Sequence, residues 1–343
     1  MSKADIIFKQ MCEEIFNNGC TIDDGAIRAH WEDGTPAKTI QSFGIVNTYD
    51  LQEEFPAITY RRTAIKSAFK EILWIYQMHS NNIHDLKNLH IWDSWADPHT
   101  GSIGKAYGYQ VNTLSPVYKS GYDIKDRNGD SITTCDKALL SSVAAENTIE
   151  EKIHSVLHIS KKEYPSVKDK IETCPKWNYI IYMNQIDKVI YQLRENPSSR
   201  RIMISLWNVS ELEYMNLEPC CWSCNFNVSK DKEGNNVLNM ILNQRSNDVL
   251  AANNWNVVQY ALLLMAIAQV CDMKYGKLMH VITNAHIYDR HIEEVKKMLE
   301  RKTYPAPKVS LNKKIKNFYD FTVDDVNIED YKYGDQIKFP IAI

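Results

Sequence analysis

Cys220 follows Glu218-Pro219 and opens a strand-like run that extends to Val228. Once deprotonated, a cysteine thiol adds readily to an electrophilic carbon; an unactivated one is more often a buried structural thiol. Cys221 and Cys224 form a C-x-x-C beside it. On a regular strand, positions three apart point to opposite faces. That argues against a redox pair or a zinc knuckle, and no second cysteine pair completes a metal site. Arg200-Arg201 and Arg245-Ser246 supply forked guanidinium donors and a short hydroxyl, the donor set a phosphate takes. Surface arginines and a strand-end ion pair would account for them equally simply. Asn256 opens a helical pattern. Its amide carries both a donor and an acceptor and so matches the uracil edge, where an aspartate would suit cytosine better; a helix N-cap would also explain it. Trp92 and Trp95 are flat surfaces for a heterocycle or ordinary core aromatics. His286 and Tyr288 could bind a sugar hydroxyl, although a lone histidine is commonly structural.

The elements that must hold these residues mix helices and strands. Residues 1–20 predict a helix with Ile6, Ile7, Met11 and Ile15 on one stripe. A polar loop follows around Asp33-Gly34-Thr35-Pro36. Residues 64–78 predict an amphipathic helix with Ile65, Ala68, Phe69, Ile72, Leu73 and Tyr76 on one face. Glu71 lies off that stripe, and on a bare helix it would face solvent. Residues 112–180 are polar, contain Asp126-Arg-Asn-Gly-Asp130, and read as an insertion with little core of its own. A helix over 183–195 runs into the stop signal Asn196-Pro197. Alternation then predicts strands at 202–207, 220–228 and 237–246, the last with Leu238, Met240, Leu242 and Gln244 on one face. Residues 255–271 are apolar on nearly all sides, as a buried helix is. A short strand at 278–283, a helix from Tyr288 to Arg301 and strand-like pieces after Lys308 complete the chain. Without regular β-α-β alternation, the class is α+β around a substantial sheet.

Composition sets the frame. The chain has 343 residues, 44% hydrophobic and 24% charged, which is enough for a large soluble core. A net charge of -3 provides no global basic field for duplex nucleic acid. The opening MSKADIIFKQ has no long apolar run, which argues against a signal peptide. The apolar stretch Ala261 to Ala268 is far too short to span a membrane. Eight scattered cysteines read as reduced thiols of a cytoplasmic protein.

The order of the motifs adds what no single one provides. Glu71-Ile-Leu-Trp74, Ile91-Trp-Asp-Ser-Trp-Ala-Asp97 and Gly104-Lys-Ala-Tyr-Gly108 come first. Pro197-Ser-Ser-Arg-Arg201, Trp207-Asn208 and Glu218-Pro-Cys220 follow, then Gln244-Arg-Ser-Asn-Asp248, Asn256 and Ala285-His-Ile-Tyr288. With these strings the sequence resembles the thymidylate synthase family from about residue 5 to its end, outside 112–180. Asp33-Gly-Thr-Pro-Ala-Lys38 and Asn317-Phe-Tyr-Asp-Phe321 are similar to its firmicute-type branch. The resemblance implies a single catalytic domain over 1–343, containing the insertion at 112–180. Its fold would be a large mixed sheet flanked by helices, with one sheet face forming a symmetric dimer interface.

The resemblance also implies the chemistry. Cys220 would add to carbon 6 of dUMP, making carbon 5 nucleophilic. The co-substrate 5,10-methylenetetrahydrofolate would supply a one-carbon unit and a hydride, leaving dTMP and dihydrofolate. Glu71 would help protonate the leaving folate nitrogen, and Tyr107, or water near it, would help remove the carbon 5 proton. Asp248 and Asn256 would complete the catalytic set, and Arg245 would lower the pKa of Cys220. The nucleotide would be bound by Gln244, Arg245, Ser246, Asn247, Asp248, Asn256, His286 and Tyr288, with Arg200 and Arg201 reaching across from a partner subunit. The folate would meet Arg61, Trp92, Trp95, Asp248, Ala342 and Ile343, and no metal takes part.

Three departures from the family pattern stand out. Gly34 occupies the place of a phosphate-binding arginine, for which Arg28 or Lys38 could substitute. The family's Leu-Gly-x-Pro-Phe-Asn becomes Ala251-Ala-Asn-Asn-Trp-Asn256, and the usual Gly-Asp becomes Thr283-Asn284. They leave open a hydroxymethyltransferase that traps the methylene with water, and a non-catalytic nucleotide- or RNA-binding relative. Asn256, the ending Pro340-Ile-Ala-Ile343 and the retained Cys220 and Glu71 argue for the synthase.

Overall fold

The computed structural model describes residues 1–23, 27–87, 90–119, 162–166, 168–170 and 179–343. Most of the sequence-defined insertion at 112–180 therefore lies outside the described residues. Helix α1 (Lys3–Asn18) leads to strands β1 (Cys20–Ile22) and β2 (Thr39–Asp50). Helix α2 (Ile65–Tyr76) and the one-turn α3 (Gly108–Val111) precede β3 (Ser115–Lys119), β4 (Lys168–Lys170) and β5 (Tyr179–Met183). After α4 (Gln185–Glu195) come β6 (Met203–Ser205), β7 (Cys221–Lys230), β8 (Asn236–Asp248), α5 (Asn253–Val270) and β9 (Lys274–Tyr288). Helix α6 (Ile292–Leu299) and strands β10 (Lys308–Leu311) and β11 (Val326–Glu329) follow.

Local signals account for the helix ends. Ser2 caps α1 and forms a reciprocal capping box with Asp5. Asp5 is itself buried and accepts from the backbone and hydroxyl of Thr59, at 2.6 Å each, which ties α1 to the segment before α2. Asn184 accepts from the Asp187 N–H at the start of α4, and that helix stops at Glu195, before Asn196-Pro197.

Six strands form the principal sheet in the order β1-β2-β9-β8-β7-β6. Its β8–β9 pair is parallel and its other pairs are antiparallel. A parallel pair needs a crossover, and α5 is that crossover. The helix lies under the sheet with Leu262, Leu263, Leu264, Ala266, Ile267 and Ala268 fully buried, and α2 packs against it. On the opposite face of the sheet, Val46, Met203 and Ile241 are exposed.

Several boundaries differ from the sequence expectation. β2 was not expected at all. Gly44 adopts φ 77° where the pairing skips one position between Phe43↔Asn284 and Ile45↔Ile282 with the register unchanged, and the buried side switches from Ser42 to Asn47 and Tyr49, a kink that breaks the period-2 pattern. β9 spans Lys274–Tyr288 instead of 278–283. The helix expected from Tyr288 to Arg301 is a short 3-10 turn, Asp289–His291, followed by α6.

Candidate active site

Cys220 sits just before β7, on a backbone elbow held by β8. The Arg245 N–H donates to the Cys220 carbonyl at 2.9 Å. The Arg245 guanidinium donates to the carbonyls of Pro219 at 3.2 Å and Glu218 at 2.7 Å. From the other side, the Cys220 N–H donates to the Tyr107 hydroxyl at 3.2 Å. Tyr107 holds φ 45°, a left-handed value unusual for a bulky residue and typical of functional positions. Burial pushes the Cys220 thiol up; Arg245 and Arg28 pull it back, and Glu218 opposes them. Arg245 therefore acts in the expected direction, but burial outweighs it and the net shift is upward.

The C-x-x-C behaves differently from a regular strand. A register shift between Cys221 and Ser223 inserts a bulge, so Cys221 and Cys224 share the core side rather than facing apart. Both are buried below Tyr76 and Tyr260, whose hydroxyls lie 3.2 Å apart. Burial raises both thiols, which keeps them protonated and unreactive. Among the described residues, no group of three or more His, Cys, Asp or Glu is placed to hold a metal ion.

An amide chain fixes Asn256. His280 is fully buried, and burial lowers its pKa to about 3, so the ring is neutral. Its Nε2 lies 2.7 Å from Gln244 Oε1 and must be the donor, because that oxygen can only accept. Gln244 Nε2 donates to the Ser246 carbonyl at 2.8 Å, which sets the flip of Gln244, and also to Asn256 Oδ1 at 3.1 Å. Asn256 Nδ2 in turn donates to Gln259 Oε1 at 3.1 Å. One N–H and one lone pair of Asn256 remain for a ligand, the complement of a uracil edge.

Glu71 corrects another expectation. It is 4% exposed, not solvent-facing, because α5 and the Trp92 loop cover its side of α2. Trp92 Nε1 donates to one carboxylate oxygen at 3.1 Å and Trp255 Nε1 to the other at 2.7 Å. Burial pushes the carboxyl up to about 7, against the two indole donors and Gln259, which pull it down. A carboxyl poised there suits general acid–base work near neutral pH.

The nucleotide-side residues divide. Gln244, Arg245 and Asn256 gather as described. Asn247 is fully buried, and its side-chain nitrogen and oxygen have no partner among the described residues. Ser246 pairs in register with Asn284, and Asp248 with His286. Asp248 accepts from the N–H groups of Leu250 and Ala251 at 3.0 Å each and lies 3.8 Å from His291 Nδ1. Burial pushes its carboxyl up, but His291, His286 and the Ala251 N–H together outweigh that, and the net shift is downward. The His286 ring stands edge-on to Tyr288 at 5.0 Å and bonds Asn284 Oδ1 at 2.9 Å. Arg200 and Arg201, by contrast, are exposed.

Gly34 adopts φ 79° with open space around it. Arg28 lies 3.7 Å from Glu218, which is also 3.7 Å from Arg245, and Arg28 acts electrostatically on both Cys220 and Tyr288. Lys38 is exposed, and its backbone carbonyl accepts from Asp289.

On the folate side, Trp92 is buried against Tyr107, with ring centroids 4.8 Å apart, and Trp95 stands 6.1 Å from Trp92. Arg61 is 8% exposed; it donates to the Leu250 carbonyl at 2.5 Å and lies 5.7 Å from the Phe339 ring. It forms the floor of a cavity of about 440 Å³, while Arg62 is its exposed cation. Asn254, Trp255 and Tyr333 also line this cavity, and Asn254 Nδ2 is buried with no partner among the described residues. Ile343 pairs with His30 through both backbone groups, at 2.8 and 2.9 Å, and Ala342 beside it is half-buried. The Pro340 carbonyl lies 2.8 Å from His291 Nε2.

Sequence reading did not single out Trp255, His280, Gln259 or His291. His280 was detectable, since it takes a core-facing position between Leu278 and Ile282 on β9.

The chain is similar to known proteins along nearly its whole length. The thymidylate synthase family model matches residues 6–343. Thymidylate synthase 1 of Bacillus subtilis strain 168 is 32% identical, with 100% of each chain covered. The thymidylate synthase of Bacillus phage phi3T is 31% identical over the same share. The solved structure of thermostable thymidylate synthase A from Bacillus subtilis superposes with a TM-score of 0.74, at 31% identity and 99% coverage of each chain. Motif order, sheet topology and full-length similarity point the same way: the chain belongs to the thymidylate synthase family.

Proposed function

We propose that the protein converts dUMP to dTMP with 5,10-methylenetetrahydrofolate as one-carbon and hydride donor, releasing dihydrofolate. The observation that carries this reading is the seating of the Cys220 elbow between Arg245 and Tyr107, with the oriented Asn256 joined to neighbouring β8 through Gln244. Asn256 reads the uracil edge. The nucleotide phosphate completes the charge balance around Arg245 and Arg28, and Cys220 adds to carbon 6. Arg28 takes the part left open at Gly34, because it shares Glu218 with Arg245 and Lys38 does not. Glu71 delivers a proton on the folate side, and Tyr107 or a water held by it receives the carbon 5 proton. Asp248, Ser246, Asn247, His286 and Tyr288 shape the nucleotide pocket.

The folate fits the cavity lined by Arg61, Trp255 and the exposed Arg62, which Glu71 connects to Trp92 and which offers an Asn254 amide nitrogen with no partner among the described residues. The Ile343–His30 pairing, with Ala342 next to it, supports a site shut to water, so the methylene is reduced rather than hydrated. The working form is a symmetric dimer across the open sheet face, with Arg200 and Arg201 binding the neighbour's phosphate. Among the described residues no helix is long and apolar enough to cross a membrane.

Purified protein given dUMP and methylenetetrahydrofolate should produce dTMP and the absorbance rise of dihydrofolate. No rise, with 5-hydroxymethyl-dUMP in the products by mass spectrometry, would overturn the reading.

A further inference from the structure

Glu71 is held from two sides by residues of different origin in the chain. Trp92 belongs to the Ile91–Asp97 string that the family shares, whereas Trp255 stands where the family's usual string has phenylalanine. A phenyl ring has no N–H to donate. We propose that Trp255 is a positioning residue: its indole N–H fixes the second oxygen of the Glu71 carboxylate and ties that acid to the wall of the Arg61–Arg62 cavity. This rests on the reading of Glu71 as the proton donor.

The geometry supports it directly. The Trp255 bond, at 2.7 Å, is the shorter of the two indole contacts. Two donors on opposite oxygens fix the carboxylate plane, where one would leave it free to turn. Trp255 is half-buried, and it lines the cavity while its N–H points inward to Glu71. A ligand stacked against this indole therefore touches the group that holds the acid.

Both donors favour the charged carboxylate, while burial favours the neutral acid. Around Glu71, α5 presents Trp255 and Gln259, the Trp92 loop presents its indole, and the titratable neighbours are Tyr107 and Cys221. Burial holds both neighbours in their neutral forms. Loss of the Trp255 donor should thus raise the pH at which Glu71 gives up its proton.

The test is Trp255→Phe in the full-length protein, with the Glu71 carboxyl followed by infrared difference titration and its band assigned by its loss in Glu71→Gln. The midpoint should rise by about one pH unit. The basic limb of kcat should move with it, and the plateau should fall roughly ten-fold. A raised folate KM with the Glu71 midpoint unmoved would make Trp255 only a wall of the cavity and overturn the proposal. Should the variant fold poorly, ¹⁵N-indole spectra of wild-type protein serve instead. The Trp255 N–H resonance must titrate with Glu71 and stop doing so in Glu71→Gln; a resonance blind to that titration also overturns it. Absence of turnover in wild-type protein, with the infrared shift intact, would count against the synthase reading and leave the Trp255–Glu71 coupling standing.

Discussion

The interior of the site and its cationic rim are built on opposite plans. Inside, Glu71, Gln244 and Asn256 are held by donors and acceptors of the same chain, and each amide orientation follows from the one before it. At the rim, Arg28 shares one carboxylate with Arg245 at 3.7 Å, and Arg200 and Arg201 project into solvent. A neutral ring needs fixed dipoles, which a core can arrange in advance. A phosphate needs full charges, which are costly to bury before their partner arrives. On the function proposed above, the base-reading half is finished within one chain, and the anion-binding half is left for ligand and neighbour to complete.

This contrast can be broken at either end. Cys220→Ser should cost about 10⁴-fold or more in dihydrofolate formation, and near-normal turnover would move the nucleophile elsewhere. Glu71→Gln should cost about 10²- to 10⁴-fold. Because burial lifts the Glu71 carboxyl to about 7, wild-type kcat should fall as pH rises through that value; a limb that survives in Glu71→Gln belongs to another group. Asn256→Asp should shift the dCMP-to-dUMP preference by roughly ten-fold toward dCMP, and an unchanged ratio would remove Asn256 from base reading. Mixing Arg200→Ala with Cys220→Ser subunits should lift activity well above the sum of the two parents, because one site per mixed dimer is intact. No gain on mixing would locate Arg200 away from the neighbour's site. Smallest of all, Arg28→Ala should raise KM for dUMP about three-fold, as exposed charges do, while Lys38→Ala leaves it unchanged.

The same contrast explains what could be read in advance. Cys220, Arg245 and Asn256 were legible because their identities and order are themselves the signal. The wholly apolar α5 and the capped α4 were legible from periodicity and stop residues. Glu71 was misplaced because a single helix pattern knows nothing of the second helix that covers its polar side. Cys221 and Cys224 were set on opposite faces because a bulge of one residue is invisible to an alternation rule. β2 was missed because the kink at Gly44 moves its buried positions from even to odd numbers partway along the strand. Arg61 was expected to meet the folate; its burial against the Leu250 carbonyl, with Arg62 as the exposed neighbour, depends on tertiary packing that the sequence does not display. Trp255 was noted only as part of the departing Ala251–Asn256 string, because an aromatic residue in an apolar helix looks like core until its N–H is traced to Glu71.

The parallel pairing of β8 with β9 has a consequence for how the site comes into being. A hairpin can close locally, but Gln244 meets His280 only after α5 has formed and the chain has doubled back across the sheet. Such long-range closure is slow compared with helix formation. During refolding, helical signal should recover first and catalytic competence last, so a protein that looks folded by circular dichroism would still be unable to bind its nucleotide.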